Sequence, residues 1–117
     1  IKGGGLAIYV NNTITNTAEI NTTMSSSENS IEHQGIIITL GTKKITIYNI
    51  YDTAHTNSST VQDYIQITKV KTTNSIICAD FNAHNLDWGS DHTDTRGKYI
   101  DKFARDNQLF ILNTGTP

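Results

Sequence analysis

The chain has 117 residues, 36% of them hydrophobic and 17% charged, with a formal net charge of −2 at pH 7 and a single cysteine. That length allows one modest core, so one domain, or part of one spanning residues 1–117, is the ceiling. The charge balance lacks the basic footprint of a strong autonomous nucleic-acid binder, and one Cys excludes an internal disulfide framework or a CxxC zinc pattern. No apolar run is long enough to span a membrane and no leader peptide is visible, so the sequence points to an intracellular chain with no membrane partner. The start at Ile1 without Met, and the end at Gly115-Thr116-Pro117, suggest a piece incomplete at both ends.

In chain order, Gly3-Gly4-Gly5 leads into Leu6–Val10, which reads as a short apolar strand. Neither a P-loop nor a dinucleotide fingerprint follows the glycines, so they read as a turn before a strand rather than as a phosphate cradle. Residues 11–30 are rich in Asn, Thr and Ser and read as loops around a weak edge strand near Ala18–Thr22. Sequon matches at Asn11, Asn21 and Asn57 are what so Asn/Thr-rich a chain produces by chance. Ile36–Leu40 and Lys44–Tyr51 flank Gly41-Thr42-Lys43 and predict a hairpin, with Ile45, Ile47, Asn49 and Tyr51 sharing one strand face. Ser58 or Ser59 caps a predicted helix through about Val70. Ile76–Ala79 is an apolar run typical of a strand covered on both faces, with Cys78 as a small buried hydrophobe. Lys98–Asn107 carries Tyr99, Ile100, Phe103 and Ala104 at helical spacing, and Leu109–Leu112 reads as a closing buried strand.

The chemistry concentrates after Ala79. Strand alternation sends Asp80 and Asn82 to one side and Phe81 to the other, placing an anion and an amide at the carboxyl end of a strand, where ligands of α/β sheets bind. Tyr51 ends another predicted inner strand, where spacing alone reads it as an ordinary strand aromatic whose phenol could still donate a hydrogen bond to a ligand. His84, Asp87 and His92 lack the recognisable spacing of a zinc site. Trp88 reads as a pin that fastens the loop to the core. Arg96 either contacts phosphate or closes a salt bridge within the loop.

The motifs Ala79-Asp-Phe-Asn-Ala-His84, Asp87-Trp-Gly-Ser90 and Thr93-Asp-Thr-Arg-Gly97 resemble the endonuclease domain of non-LTR (LINE-type) retrotransposons, in the endonuclease/exonuclease/phosphatase superfamily. Gly3–Val10, Ile47-Tyr-Asn-Ile-Tyr51 and Leu112-Asn-Thr-Gly-Thr-Pro117 extend the resemblance, in the family's order, over nearly the whole chain. It implies an α/β fold, a layered α/β sandwich of the DNase I-like type. It also implies Mg²⁺- or Mn²⁺-dependent nicking of double-stranded target DNA by a nuclear-acting polyprotein that carries a reverse transcriptase domain. By the same resemblance, Asp80 orients or deprotonates the water or handles the leaving-group proton, Asn82 donates to a phosphate oxygen, Tyr51 helps hold the scissile phosphate, and Asn113 falls at a polar position of the cleft. Asp52-Thr-Ala-His55 departs from the basic or Pro-containing turn usual in the family. The resemblance further requires an N-terminal strand with an Asn, a metal-holding Glu and a C-terminal Ser-Asp-His. None of these lies in the chain; Ser90-Asp91-His92 falls in the variable part of the site loop and is not assigned the catalytic role. Alternatives are another phosphoesterase of the superfamily or a decayed, non-catalytic retroelement product.

Overall fold

A computed structural model describes residues 5–20, 31–53, 68 and 74–115. Its strands are β1 (Thr17–Ile20), β2 (Ile31–Leu40), β3 (Lys43–Asp52) and β4 (Ser75–Asp80), followed by a 3₁₀ turn (Leu86–Trp88) and the helix α1 (Thr95–Asp106). The strands form one sheet in the order β1-β2-β3-β4, antiparallel except for the parallel pair β3–β4. The predicted hairpin is present and longer than expected: pairing runs from Ile31↔Asp52 to Leu40↔Lys43 around a two-residue Gly41-Thr42 turn. Gly41 takes φ 63°, as the tight turns matching strand twist require.

The core lies on one face of this sheet. Tyr48 and Ile50 of β3, at two-residue spacing, meet Ile100 and Phe103 of α1, with Ile31 beside them and Ile77, Phe81, Ala83, Trp88 and Leu109 packed around. Gly97, Ile100, Phe103 and Ala104 are the buried stripe of α1, recurring every three or four residues. Burying side chains such as Ile100 and Phe103 contributes about 1.5–3 kcal/mol each, which holds α1 to the sheet. The helix begins three residues earlier than predicted, because the Asp94 carboxylate accepts from the Gly97 N–H and caps it. Tyr99, counted in the apolar stripe from sequence, is 42% exposed.

Four expectations are corrected. Leu6–Val10 joins no ladder; the segment is tied instead by the Asn49 amide donating to the Ala7 carbonyl. β4 is not covered on both faces: it pairs only with β3 among the described strands, Ile76 is 51% exposed, and Cys78 is exposed rather than buried. Leu109–Leu112 is not a strand. After α1, Gln108 turns the backbone at φ 56°, so Leu109 enters the core while Phe110 and Leu112 leave it, 91% and 88% exposed. Finally, simple alternation does not carry past Asp80, as described below. The predicted edge strand survives as Thr17–Ile20, its last two residues lying outside the described ones. The predicted 58–70 helix also lies outside them, apart from Thr68, which is helical and buried. Among the described residues no helix is long and apolar enough to cross a membrane.

Candidate active site

The parallel register of β3 and β4 pairs Tyr51 with Asp80, so the phenol and the carboxylate leave the sheet side by side at the same strand ends. Both face solvent, Tyr51 at 38% exposure. The chain then turns. Asn82 adopts φ 46°, a conformation Asn tolerates better than other side-chain-bearing residues, and its N–H donates to Asp80 Oδ1 at 3.1 Å in a local turn. Its side-chain N–H reaches the Asp52 carbonyl at 2.6 Å. Asn82 therefore joins Tyr51 and Asp80 through a turn anchored on β3, not by continuing the strand. One amide hydrogen is committed to Asp52, which leaves the second N–H and the amide oxygen for a ligand.

Behind this cluster lies a residue that the sequence marked only as a departure from the family's turn. Asp52 is fully buried on the core face of β3, and Arg96, in the first turn of α1, donates from Nη2 to its Oδ1 at 2.5 Å. Arg96 forms an ion pair, but with the end of β3 rather than within the loop as expected. The Arg96 side chain is only 13% exposed, so its charge is turned inward.

The loop from Ala83 to Asp94 is built around Asn85, which is buried. Its carbonyl oxygen accepts from the Asp87 N–H and the Thr93 hydroxyl, its amide donates to the Gly97 carbonyl, and its backbone carbonyl accepts from Trp88 and Ser90. Trp88 packs on the core while its ring N–H donates to the Ala83 carbonyl at 3.3 Å, so it pins the loop as expected. The Asp94 N–H returns to the His84 carbonyl at 3.0 Å. At this crossing a Cβ on Gly97 would overlap the His84 carbonyl oxygen, so close approach demands glycine there.

Two carboxylates in this loop are perturbed. Burial pushes the Asp94 carboxyl up, but the Gly97 N–H and then His84 outweigh it, so it sits below its ordinary value. The hydrogen bond from His92, reinforced by its charge, holds the exposed Asp91 carboxyl below its ordinary value. His84 and His92 stack with ring centroids 4.7 Å apart, near Asp94 rather than the Asp87 that sequence spacing had grouped with them.

Asp80, Asn82 and His84 open onto a groove of about 940 Å³ whose opposite wall includes Leu109, Leu112 and Asn113. The far wall is held near the loop where Gly115 packs against Gly89. Asn113 thus shares the groove with Asp80 and Asn82, whereas neither Tyr51 nor Arg96 lines it. Sequence inspection missed the roles of Asp52, Asn85, Asp94 and Gly97. Only Asp94 carried a usable signal, an acidic cap just before a helical apolar pattern.

A mixed sheet with a helix packed on one face and polar groups gathered at adjoining strand ends is an α/β layout in which ligands bind outside the carboxyl ends of the strands. A family model described as "Endonuclease-reverse transcriptase" matches residues 45–117, most of the chain and every site residue named above. The chain belongs to this family. Its fold is similar to that of the endonuclease domain of TRAS1, a telomere-specific non-LTR retrotransposon, with a TM-score of 0.59 at 19% identity. The alignment covers 86% of this chain and 57% of that one, and the shared fold is of the DNase I-like α/β type. A comparison with curated protein sequences yields no match.

Proposed function

We propose that the chain forms the central part of a metal-dependent phosphodiesterase site that nicks double-stranded DNA, within a polyprotein that also carries a reverse transcriptase. The observation that carries this reading is the meeting of Tyr51, Asp80 and Asn82 at the ends of two paired strands. Family membership and the shared fold support it.

In this reading the Asp80 carboxylate, exposed and oriented by the Asn82 N–H, takes or steers the proton of the attacking water or of the leaving oxygen. Asn82 offers its remaining N–H to a phosphoryl oxygen, and Tyr51 donates its phenol to another. Asn113 meets the substrate from the far wall of the groove. Arg96 acts through Asp52, holding the strand end to which Asn82 is bonded. Mg²⁺ or Mn²⁺ fits this donor set, because such ions prefer oxygen ligands and are commonly held by one or two carboxylates together with substrate phosphate and water. The residue that would hold the ion is a glutamate from outside the chain, beside the phosphate that Asp80 and Asn82 face. The ion would neutralise charge on the phosphoryl oxygens. An enzyme acting on genomic DNA would work in the nucleus.

The chain spans 57% of the solved endonuclease domain, so the isolated 117 residues are proposed to have little or no activity. The test is nicking of supercoiled plasmid in Mg²⁺ or in chelator, by the chain and by the same protein extended in its reading frame to full domain length. Metal-dependent nicking by the extended protein alone supports the proposal. Robust nicking by the 117-residue chain that Asp80→Ala abolishes would show that the site is already whole, and an inactive extended protein would favour the decayed-element reading.

A further inference from the structure

The loop beside the groove holds a second constellation. His84, His92 and Asp94 each offer a ligand atom, and these atoms lie within 4.8 Å of one another. We infer that they form a binding site for a divalent first-row transition ion of the zinc type, which clamps the Ala83–Asp94 loop shut at the mouth of the groove.

The donor chemistry favours such an ion over Mg²⁺: imidazole nitrogens suit zinc, copper, nickel and cobalt, while all-oxygen sets suit magnesium. The supports around each ligand are of the kind that orient metal sites. Asp91 Oδ1 lies 2.5 Å from His92 Nδ1, so a carboxylate fixes that ring and leaves Nε2 as its coordinating atom. Asp94 is fixed from behind, since Oδ1 accepts from the Gly97 N–H at 2.6 Å while Oδ2 faces His84 Nδ1 at 3.1 Å. The His84 and His92 rings stack within 18° of parallel, so the pair is already gathered on one side of the loop.

Ligand atoms around a tetrahedral zinc ion lie roughly 3.4 Å apart, given Zn–N and Zn–O bonds of about 2.0–2.2 Å. Contraction to that size calls for rotation of two imidazoles that are more than half exposed, at 53% and 59%, and so free to turn. Three protein ligands leave a fourth position to water. The three ligands come from the start of the loop, its tip and the cap of α1, so the ion would cross-link the segment following Asn82 to the helix that carries Arg96.

The test is binding, which makes it independent of the phosphodiesterase proposal. Tag-free 117-residue chain is titrated with Zn²⁺ against a chromophoric chelator, and with Co²⁺ while its visible absorption is followed. One equivalent should bind and resist a large excess of Mg²⁺. Either His84→Gln or His92→Gln should weaken binding at least about 100-fold, and Asp91→Asn about 10- to 100-fold as loss of an outer partner does. Independently of any variant, Zn²⁺ should shift the imidazole NMR signals of His84 and His92 and leave His33 and His55 unchanged. Absence of stoichiometric binding, binding indifferent to both His variants, or shifts confined to His33 and His55 would each overturn the inference.

Discussion

The Asn82 side-chain amide donates to the Asp52 carbonyl at 2.6 Å, and the Asp52 carboxylate, fully buried, is itself held by Arg96 at 2.5 Å. One residue at the end of β3 therefore couples the first turn of α1 to the amide that faces the groove. The backbone of Asp52 orients Asn82 while its side chain fastens the strand end beneath.

A buried pair of this kind is expected to matter most when only one partner is removed. Arg96→Met removes the cation that pairs with the buried Asp52 carboxylate, and breaking one side of a buried ion pair costs about 3–5 kcal/mol. Adding Asp52→Asn should restore a substantial share, because no buried charge then remains. Urea unfolding of the two single variants and the double variant measures this directly. Strictly additive losses would show that the pair is not coupled.

Gly97 separates two opposing effects. In an exposed helix Gly→Ala gains about 1 kcal/mol from propensity. Here the new Cβ would overlap the His84 carbonyl oxygen, backbone that cannot swing aside. Overpacking at this contact, about 1–3 kcal/mol, should outweigh the propensity gain, so Gly97→Ala is expected to lower the urea midpoint and loosen the 83–94 loop. A raised midpoint would show that the helix and loop do not meet as described.

The hairpin, β4, α1 and the meeting of Tyr51 with Asp80 were readable from sequence because each is written in local pattern. Lys44 to Ile47 alternates polar and apolar, Ile76 to Ala79 is an apolar run of strand length, and Ile100, Phe103 and Ala104 recur at helical spacing. The exposure of Cys78 and the departure of Phe110 and Leu112 from the core were not readable. An apolar run says that a strand suits the segment, but only its neighbours decide whether it is covered. Asp52 was equally hidden, since its burial depends on Arg96, which arrives from the far side of the site loop. The grouping of His84 with His92 and Asp94 follows from the fold of the 83–94 loop around Asn85, a long-range packing event with no sequence period.

The cap of α1 should give the protein an acid-sensitive element. Asp94 sits below its ordinary value of 3.8, so its contribution to stability is complete above that pH and is lost as pH falls through the lower folded-state value. Asp94→Asn keeps a good cap but removes the titration, whereas Asp94→Ala removes the cap and costs about 0.5–2 kcal/mol at neutral pH. Urea midpoints between pH 2 and pH 6 should therefore fall less steeply on the acid side for Asp94→Asn than for the wild-type chain. Parallel acid limbs would assign the sensitivity to other carboxylates, of which Asp91, also held below its ordinary value, is the first to examine.

The proposed roles of Asp80 and Asn82 make a sharper demand, because Asn82 has both a backbone and a side-chain part to play. Its φ of 46° is easily met by glycine, so Asn82→Gly preserves the turn that orients Asp80 while deleting the amide; Asn82→Ala deletes the amide and strains the turn as well. In the extended protein, loss of one preorganised group should cost about 10²–10³ in nicking rate, so Asn82→Gly is expected to fall in that range. Asn82→Ala should fall further, since it also disturbs the N–H that reaches Asp80 Oδ1 at 3.1 Å. Asp80→Ala should be at least as damaging, and Asp80→Ala combined with Asn82→Gly little worse than Asp80→Ala alone, because groups that act as a unit fail together. Single-turnover nicking of supercoiled plasmid under saturating Mg²⁺ gives the four rates. Equal, mild losses for both Asn82 variants would reduce the residue to a turn former, and an Asp80→Ala protein with unchanged rate would remove the carboxylate from the chemistry.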